Sequence, residues 1–288
     1  MKTPIIVVTI ALSFALMSCS QEQRQQQPIT SEPVTAEKAP VPSPDNLTTE
    51  MPARSTECTL RMGFDVWEPY QFVDVNNQVR GLDIELISSV TEAMGCDVEF
   101  VQGTWVSLLA DLAEGNVDLL LGASKTQDRE NFAYFSEPYR TEEFVLYVRT
   151  DEPKFANFET IEDFVSNGSK IGVVSEYYYG ENISNMLDDN DTSQQFVFGI
   201  MGEMNVARLL DMDIDAYLED SYVGASIIRR KALASLIEPH DIRIMTGDIY
   251  VMFSQASVPE EQVNLFNQAL ADYKVTTTYA GTLRKYGQ

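Results

Sequence analysis

Residues 122–131 read GASKTQDREN. An apolar run, Leu119-Leu120-Leu121, leads into small and hydroxyl-bearing residues, and Arg129 stands a few positions into what reads as a helix. A guanidinium offers a planar fork of donors that matches a carboxylate in two parallel hydrogen bonds. Backbone N–H groups at a helix start add fixed positive potential beside it. In a chain of formal net charge −24, this placement reads either as a surface salt bridge or as an anion clamp facing a ligand cleft. Nucleophilic and metal chemistry have less to work with. The one histidine, His240, follows Glu238-Pro239 in a turn-like segment, so a histidine held by orienting partners is not expected. Three cysteines and one histidine leave no zinc set, and neither a metal nor a cofactor is implied. Carboxylates number 44, so no single pair of them is informative.

The elements that must position Arg129 begin well into the chain. Lys2 is followed by PIIVVTIALSFALM and then SCS, an apolar stretch short for a membrane span and typical of an export signal. Its end, LMSC, resembles a bacterial lipoprotein signal, which makes residues 1–18 a cleaved peptide and Cys19 the lipidated first residue. Ser20 after that cysteine resembles the pattern for outer-membrane sorting. Residues 19–56 are rich in Gln, Pro, Ser, Thr and Glu and nearly free of large apolar groups. Such a segment cannot bury enough surface to offset its ordering entropy and is expected to be a disordered tether, reaching about 35 Å r.m.s. as a coil. The remaining chain is long enough for one large domain or two lobes with cores of their own, and 44% of the sequence is apolar. The acidic balance argues against nucleic acid, whose phosphates it would repel, and against anionic lipid. Any membrane attachment therefore falls to the lipid anchor alone.

From residue 57 strands and helices alternate. TLRMGFD is a strand, LDIELISSVTEAMG an amphipathic helix stopped by Gly95, VEFVQG a strand, WVSLLADLAEG a helix and VDLLLGAS a strand. TQDRENFAYF then begins a helix, and EEFVLYVRT is a long extended run. The alternation starts again after residue 150, with strands at KIGVVS, QQFVFGI and IDAYLED. IRIMTG and IYVMFSQ are two more extended runs before the terminal helices. This order means βαβ units and parallel sheets. The halves echo each other: LADLAEGNVDLLLGAS resembles VARLLDMDIDAYLEDS, so that Asp118 matches Asp215, and LRMGFD matches KIGVVS. Two similar α/β lobes, with extended runs near 141–150 and 240–255 crossing between them, would face each other across a cleft beyond their strand ends. Cys58 and Cys96 each stand at the start of a β-rich run. If the two runs are neighbouring parallel strands in register, their Cα atoms lie about 4.8 Å apart, within disulfide range, and an exported protein would keep the Cys58–Cys96 bond.

The stretches LRMGFDVWEPYQF, GLDIELISSV, VEFVQGTWVSLLADLAEGNVDLLLGASKTQDRE and FSEPY, followed by IGVVSEYYYG, DIDAYLED and YAGTLRKYG, resemble the bacterial extracellular solute-binding proteins of family 3, the amino-acid type used by ABC importers. The resemblance implies an α/β, periplasmic-binding-protein-like type II fold, with two lobes joined by a two-strand hinge: 57–142 plus 249–288 as lobe 1 and 143–248 as lobe 2. It makes Arg129 the clamp on a ligand carboxylate, gives Ser124 and Thr126 supporting hydrogen bonds, and pairs Asp220 with a ligand amino group. Trp105 falls on an aromatic position that packs against the ligand, Trp67 near the second such aromatic, and Asp65 at the cleft edge. Read by residue type alone, Asp220 and Asp65 serve equally well as helix or turn caps, and either tryptophan as core.

Two departures qualify the resemblance. Between Asp118 and Arg129 the chain is one residue shorter than the usual amino-acid binders. Where those carry Gly-Ser/Thr after the first strand of the second lobe, this chain has Glu176-Tyr177-Tyr178. Bulk and charge in place of a small hydroxyl imply a smaller cleft or a ligand other than an ordinary α-amino acid, with Tyr178 as a ligand wall or as inter-lobe packing. The expectation is a monomeric, lipid-anchored periplasmic binding protein, not an enzyme. It would close on a small carboxylate-bearing solute and hand it to an ABC permease. The alternatives are a cyclohexadienyl-dehydratase-like lyase on the same fold and a sensor or scaffold lipoprotein.

Overall fold

The structure is a computed structural model, and it describes residues 58–286. The expected signal segment 1–18, the lipidation site Cys19 and the tether 19–56 lie outside the described residues. The chain opens with β1 (Thr59–Phe64), the short β2 (Phe72–Val73) and β3 (Val79–Arg80), α1 (Leu82–Ala93), β4 (Asp97–Gln102), α2 (Trp105–Glu114) and β5 (Leu119–Ala123). There follow α3 (Gln127–Glu130), β6 (Ala133–Phe135), β7 (Arg140–Arg149), α4 (Ile161–Ser166), β8 (Ile171–Val174), α5 (Glu181–Asp188) and β9 (Phe196–Gly199). The last elements are α6 (Gly202–Leu210), β10 (Ala216–Asp220), α7 (Ser221–Arg230), β11 (Ile237–Ser254), α8 (Glu260–Lys274) and α9 (Thr277–Tyr286).

The main sheet runs β4-β1-β5-β11-β7-β10-β8-β9, with β6 added beside β11. One wing is the parallel set β4-β1-β5 and the other the parallel set β10-β8-β9. Antiparallel strands β7 and β11 join them. β11 pairs with β7 from Ile237 to Ile249, then with β5 and β6 from Tyr250 onward. The two extended runs expected at 242–247 and 249–255 are thus parts of one continuous strand. Its register shifts between Met245 and Gly247, where Gly247 takes a positive φ of 95°. The helix expected from Thr126 is only the four-residue α3, because Ala133–Phe135 pairs with Met252–Ser254 instead. Sheet pairing at that point outweighs local helix preference.

The internal echo is structural. Asp118 Oδ2 accepts the Arg61 N–H at 2.7 Å, and Asp215 Oδ2 accepts the Lys170 N–H at 2.9 Å. In each wing an aspartate opening one strand therefore grips the start of the strand beside it. Two residues further on, Gly63 and Gly172 have no room for a side chain: a Cβ would lie 2.4 Å from Leu120 and 2.7 Å from Ile214 respectively. One apolar cluster runs through both wings, from Leu60, Met62, Leu86 and Ile87 to Leu209 and Tyr217, and a second, including Phe144, Ile171, Val173 and Leu218, lies on β7 and the second wing. A fully buried side chain of this size is worth about 1.5–3 kcal/mol. Cys58 and Cys96 form the expected disulfide, with Cα atoms 4.6 Å apart where parallel β1 and β4 begin in register.

Candidate functional site

The carboxyl ends of β1 and β5 carry the first wing's loops to the cleft. Thr104 caps α2 through a capping box with Ser107, and left-handed Gly115 ends it. This holds Trp105 at the helix start. Thr126 caps α3, its Oγ1 accepting the Arg129 N–H at 3.4 Å. Arg129 therefore projects from the first turn after β5 and is 8% exposed. Its Nη1 donates to the Ser124 carbonyl at 2.8 Å and its Nη2 to the Glu176 carbonyl at 2.6 Å, and its guanidinium lies 5.4 Å from the Trp105 ring centre. Among the described residues no carboxylate lies within ion-pair distance of it. Burial lowers its pKa to about 10, against the opposing charges of Glu176 and Glu142, so it remains cationic at neutral pH.

Glu176 belongs to the other wing, just after β8. Its φ of 63° is left-handed, a conformation costing a side-chain-bearing residue about 1–2 kcal/mol. Its carbonyl oxygen takes two donors from the first wing, Arg129 and the Trp105 indole N–H at 3.1 Å. A backbone oxygen thus occupies donors that suit a carboxylate. Around it lies a tight cavity with about 30 Å3 of free space, room for water but not for a solute unless the cleft opens. Its wall combines Asp65, Trp67, Trp105, Ser124 and Arg129 with Glu142 and Phe144 of β7 and with Tyr177 and Tyr178.

Behind this wall lies a buried polar layer. Arg140 grips both oxygens of Asp83, at 2.9 and 3.2 Å, and its guanidinium stacks 3.9 Å from the Tyr70 ring centre. Burial raises the Glu142 and Glu219 carboxyls to about 8 each. Arg140 opposes this at Glu142 and the Trp67 hydrogen bond opposes it at Glu219, while Asp220 adds to it at both. Asp220 rises to about 6, chiefly by burial. Further contacts pin the wings together: the Trp67 indole N–H donates to Glu219 Oε1 at 3.2 Å, the Tyr70 hydroxyl to Asp220 Oδ2 at 3.3 Å, and Arg230 pairs with Glu68 at 3.0 Å.

The family model of bacterial extracellular solute-binding proteins, family 3, matches residues 60–288. The chain belongs to this family. A probable histidine-binding protein of Neisseria gonorrhoeae is 24% identical over 229 residues, covering 76% of this chain and 78% of that protein. Among solved structures, an ancestral arginine-binding protein bound to arginine superposes with a TM-score of 0.71 at 20% identity, covering 81% of this chain and 100% of the other. An ancestral amino-acid-binding protein, a precursor of cyclohexadienyl dehydratase, gives 0.65 at 24% identity over 80% and 96% of the two chains. At these identities the solved structures establish the periplasmic-binding-protein fold.

In this family 3 solute-binding protein the cavity gathers Arg129, Ser124, Trp67, Trp105, Asp65 and Tyr178 from the expected site. Thr126 and Asp220 are not on its wall. Thr126 acts as the α3 cap. Asp220 caps α7, with Oδ1 accepting the Tyr222 and Val223 N–H groups at 2.9 and 3.1 Å and Oδ2 meeting Tyr70. Asp65 lines the cavity while its oxygens accept the Val66 and Trp105 N–H groups. The cavity also holds residues that the sequence did not mark, Glu142 and Phe144 at the strand crossing and Gln71 and Leu121 beside the tryptophans. Glu142 was hidden among many acids, and only its inward place on β7 distinguishes it from Glu143.

Proposed function

We propose that the protein is a periplasmic lipoprotein, anchored through Cys19 and held off the membrane by residues 19–56, that binds an amino-acid-like solute for delivery to an ABC permease. The outer membrane is the favoured location and the monomer the working unit. Lobes 57–142 plus 249–288 and 143–248 close on the solute about the β7–β11 crossing, without chemical change to it. One observation carries this reading: the guanidinium of a buried, cationic Arg129 faces the cavity with only backbone carbonyls as hydrogen-bond acceptors among the described residues. A ligand carboxylate would displace the Glu176 carbonyl and take the donors of Arg129 and Trp105 as charge-assisted hydrogen bonds. Arg129 and Trp105 both belong to the first lobe, so closure rests on further contacts of the ligand with second-lobe residues of the wall such as Phe144, Tyr177 and Tyr178, and their differential affinity shifts the population toward the closed form.

Calorimetric titration with amino acids and small organic acids tests this reading. At least one is expected to bind, and Arg129→Ala to weaken it by about 2–4 kcal/mol. Absence of binding throughout the panel would remove the proposal. A second reading, a lyase, draws support from Glu142, a buried carboxyl on the cavity wall that keeps its proton to about pH 8 and could serve as a general acid. Recovering the bound solute unchanged after prolonged incubation separates binder from lyase.

A further inference from the structure

The cavity and the layer behind it hold two cations, Arg129 and Arg140, against five carboxyl groups, Asp65, Asp83, Glu142, Glu219 and Asp220. Arg140 and Asp83 neutralise each other in a pair whose side chains are 1% and 0% exposed. Asp65 and Asp220 have backbone N–H donors. Glu142 and Glu219 each keep one carboxyl oxygen without a donor among the described residues. Glu142 lines the cavity, and its one donor among the described residues is the Thr246 hydroxyl, at 2.9 Å from Oε2. Its Oε1 has no donor among the described residues. Glu219 accepts from Trp67 and from the Asp220 N–H through Oε1, while its buried Oε2 has no partner among the described residues. Burying a carboxyl without a counter-charge or a full set of donors costs free energy, and of the two only Glu142 lines the cavity, where the charge of a ligand can reach it; Glu219 Oε2 packs against Gly202.

The walls suit the same charge. Phe144 lies two residues along β7 from Glu142, so both point to one face of the strand. Trp67 and Tyr177 stand in edge-to-face contact at 6.0 Å on the same cavity wall. Aromatic faces beside a carboxyl are a good environment for an ammonium or guanidinium group. The anion side, in contrast, already has a carbonyl oxygen on Arg129.

Building on the solute-binding reading, we propose that the cleft selects its solute by positive charge, with Glu142 as the specificity-determining residue that receives the cation. The ligand class is a basic amino acid, or an amine with similar spacing, rather than a neutral or acidic one.

The test is calorimetric titration of the wild-type protein with pairs matched in shape: arginine against citrulline, lysine against norleucine, and agmatine and cadaverine as amines lacking a carboxylate. The cationic member of each amino-acid pair is expected to bind about tenfold or more tightly. Glu142→Gln is expected to bring that ratio within about threefold, while Glu142→Asp retains part of the preference. Neutral members binding as tightly as the cationic ones would overturn charge selection and leave the amino-acid reading in place. An unchanged ratio in Glu142→Gln would overturn the role of Glu142. Binding of the amines without any amino acid would uphold charge selection and remove the amino-acid reading; binding of none would remove both. The wild-type ratios decide charge selection even if the variants fail to fold.

Discussion

Arg129 and Arg140 are both more than nine-tenths buried, yet their surroundings differ in kind. Arg140 has a full counter-charge: Asp83 receives two of its donors, and Tyr70 lies flat beneath it. Among the described residues Arg129 has only dipoles as acceptors, the carbonyls of Ser124 and Glu176, and the latter comes from across the cleft. A buried ion pair that is complete within the protein leaves nothing for a ligand to add. A buried cation held by neutral oxygens can exchange one of them for a carboxylate and gain, because the charged acceptor makes the stronger bond. The difference separates an arginine that fastens the first wing from one that is poised to bind.

The largest effect that could break this comparison is on stability. Asp83→Ala leaves the Arg140 charge buried without its partner and should cost about 3–5 kcal/mol. Arg129→Ala removes a charge that burial already disfavours and should cost less than half as much, although it abolishes tight binding. Urea midpoints of the two variants check this, and equal losses would erase the distinction. Replacing both partners, as Asp83→Leu with Arg140→Met, should recover most of the loss, since a well-packed apolar pair can match a buried ion pair.

The acids extend the contrast, with an intermediate effect. Glu142 has an ordinary value of 4.5 and is held near 8 in the folded protein, first by burial. Between those values the unfolded chain has lost this proton while the native state keeps it. Stability from this group is therefore complete below about pH 4.5 and is lost as pH rises toward 8. Glu219 acts in the same direction. The groups coupled to Glu142 come from several elements: Arg140 on its own strand, Asp83 on α1, Asp220 on β10, Thr246 on β11 and Arg129 on α3. Melting temperature in the absence of ligand should thus fall from pH 5 to pH 8, and Glu142→Gln should flatten that slope. Identical slopes would place Glu142 in contact with water or with an undetected cation.

How far the sequence discloses all this depends on the kind of signal. Strand–helix alternation and the Asp118 and Asp215 echo were legible because they are local patterns repeated at fixed spacing. The Cys58–Cys96 pairing was legible because it needs only two neighbouring strands in register. Arg129 was visible as a rare cation at a strand–helix junction. The Arg140–Asp83 pair was not, because its partners are far apart in the chain and many other carboxylates compete for notice. The Glu176 carbonyl was invisible for another reason: its role is set by a backbone φ of 63°, which no side-chain type announces. Asp220 shows the reverse case. A strand-end acid fits a ligand site and a helix cap equally well by type, and the geometry gives its Oδ1 to α7.

The smallest expected effect sharpens the comparison by holding chemistry fixed while changing burial. Arg230 and Glu68 form the same kind of pair as Arg140 and Asp83, at 3.0 Å, but their side chains are 35% and 25% exposed. Arg230 also reaches Glu203, at 3.5 Å. Solvent screens such a pair and can hydrate whichever partner is left, so Glu68→Ala should cost less than about 1 kcal/mol, and less still at high salt. This pair crosses between the wings, as do Trp67 with Glu219 and Tyr70 with Asp220. Those two buried contacts remain in the variant and should keep the wings together, leaving the ligand-free radius of gyration in X-ray scattering unchanged. A urea midpoint lowered as far as by Asp83→Ala would show that position across the cleft, rather than burial, sets what an ion pair is worth in this fold.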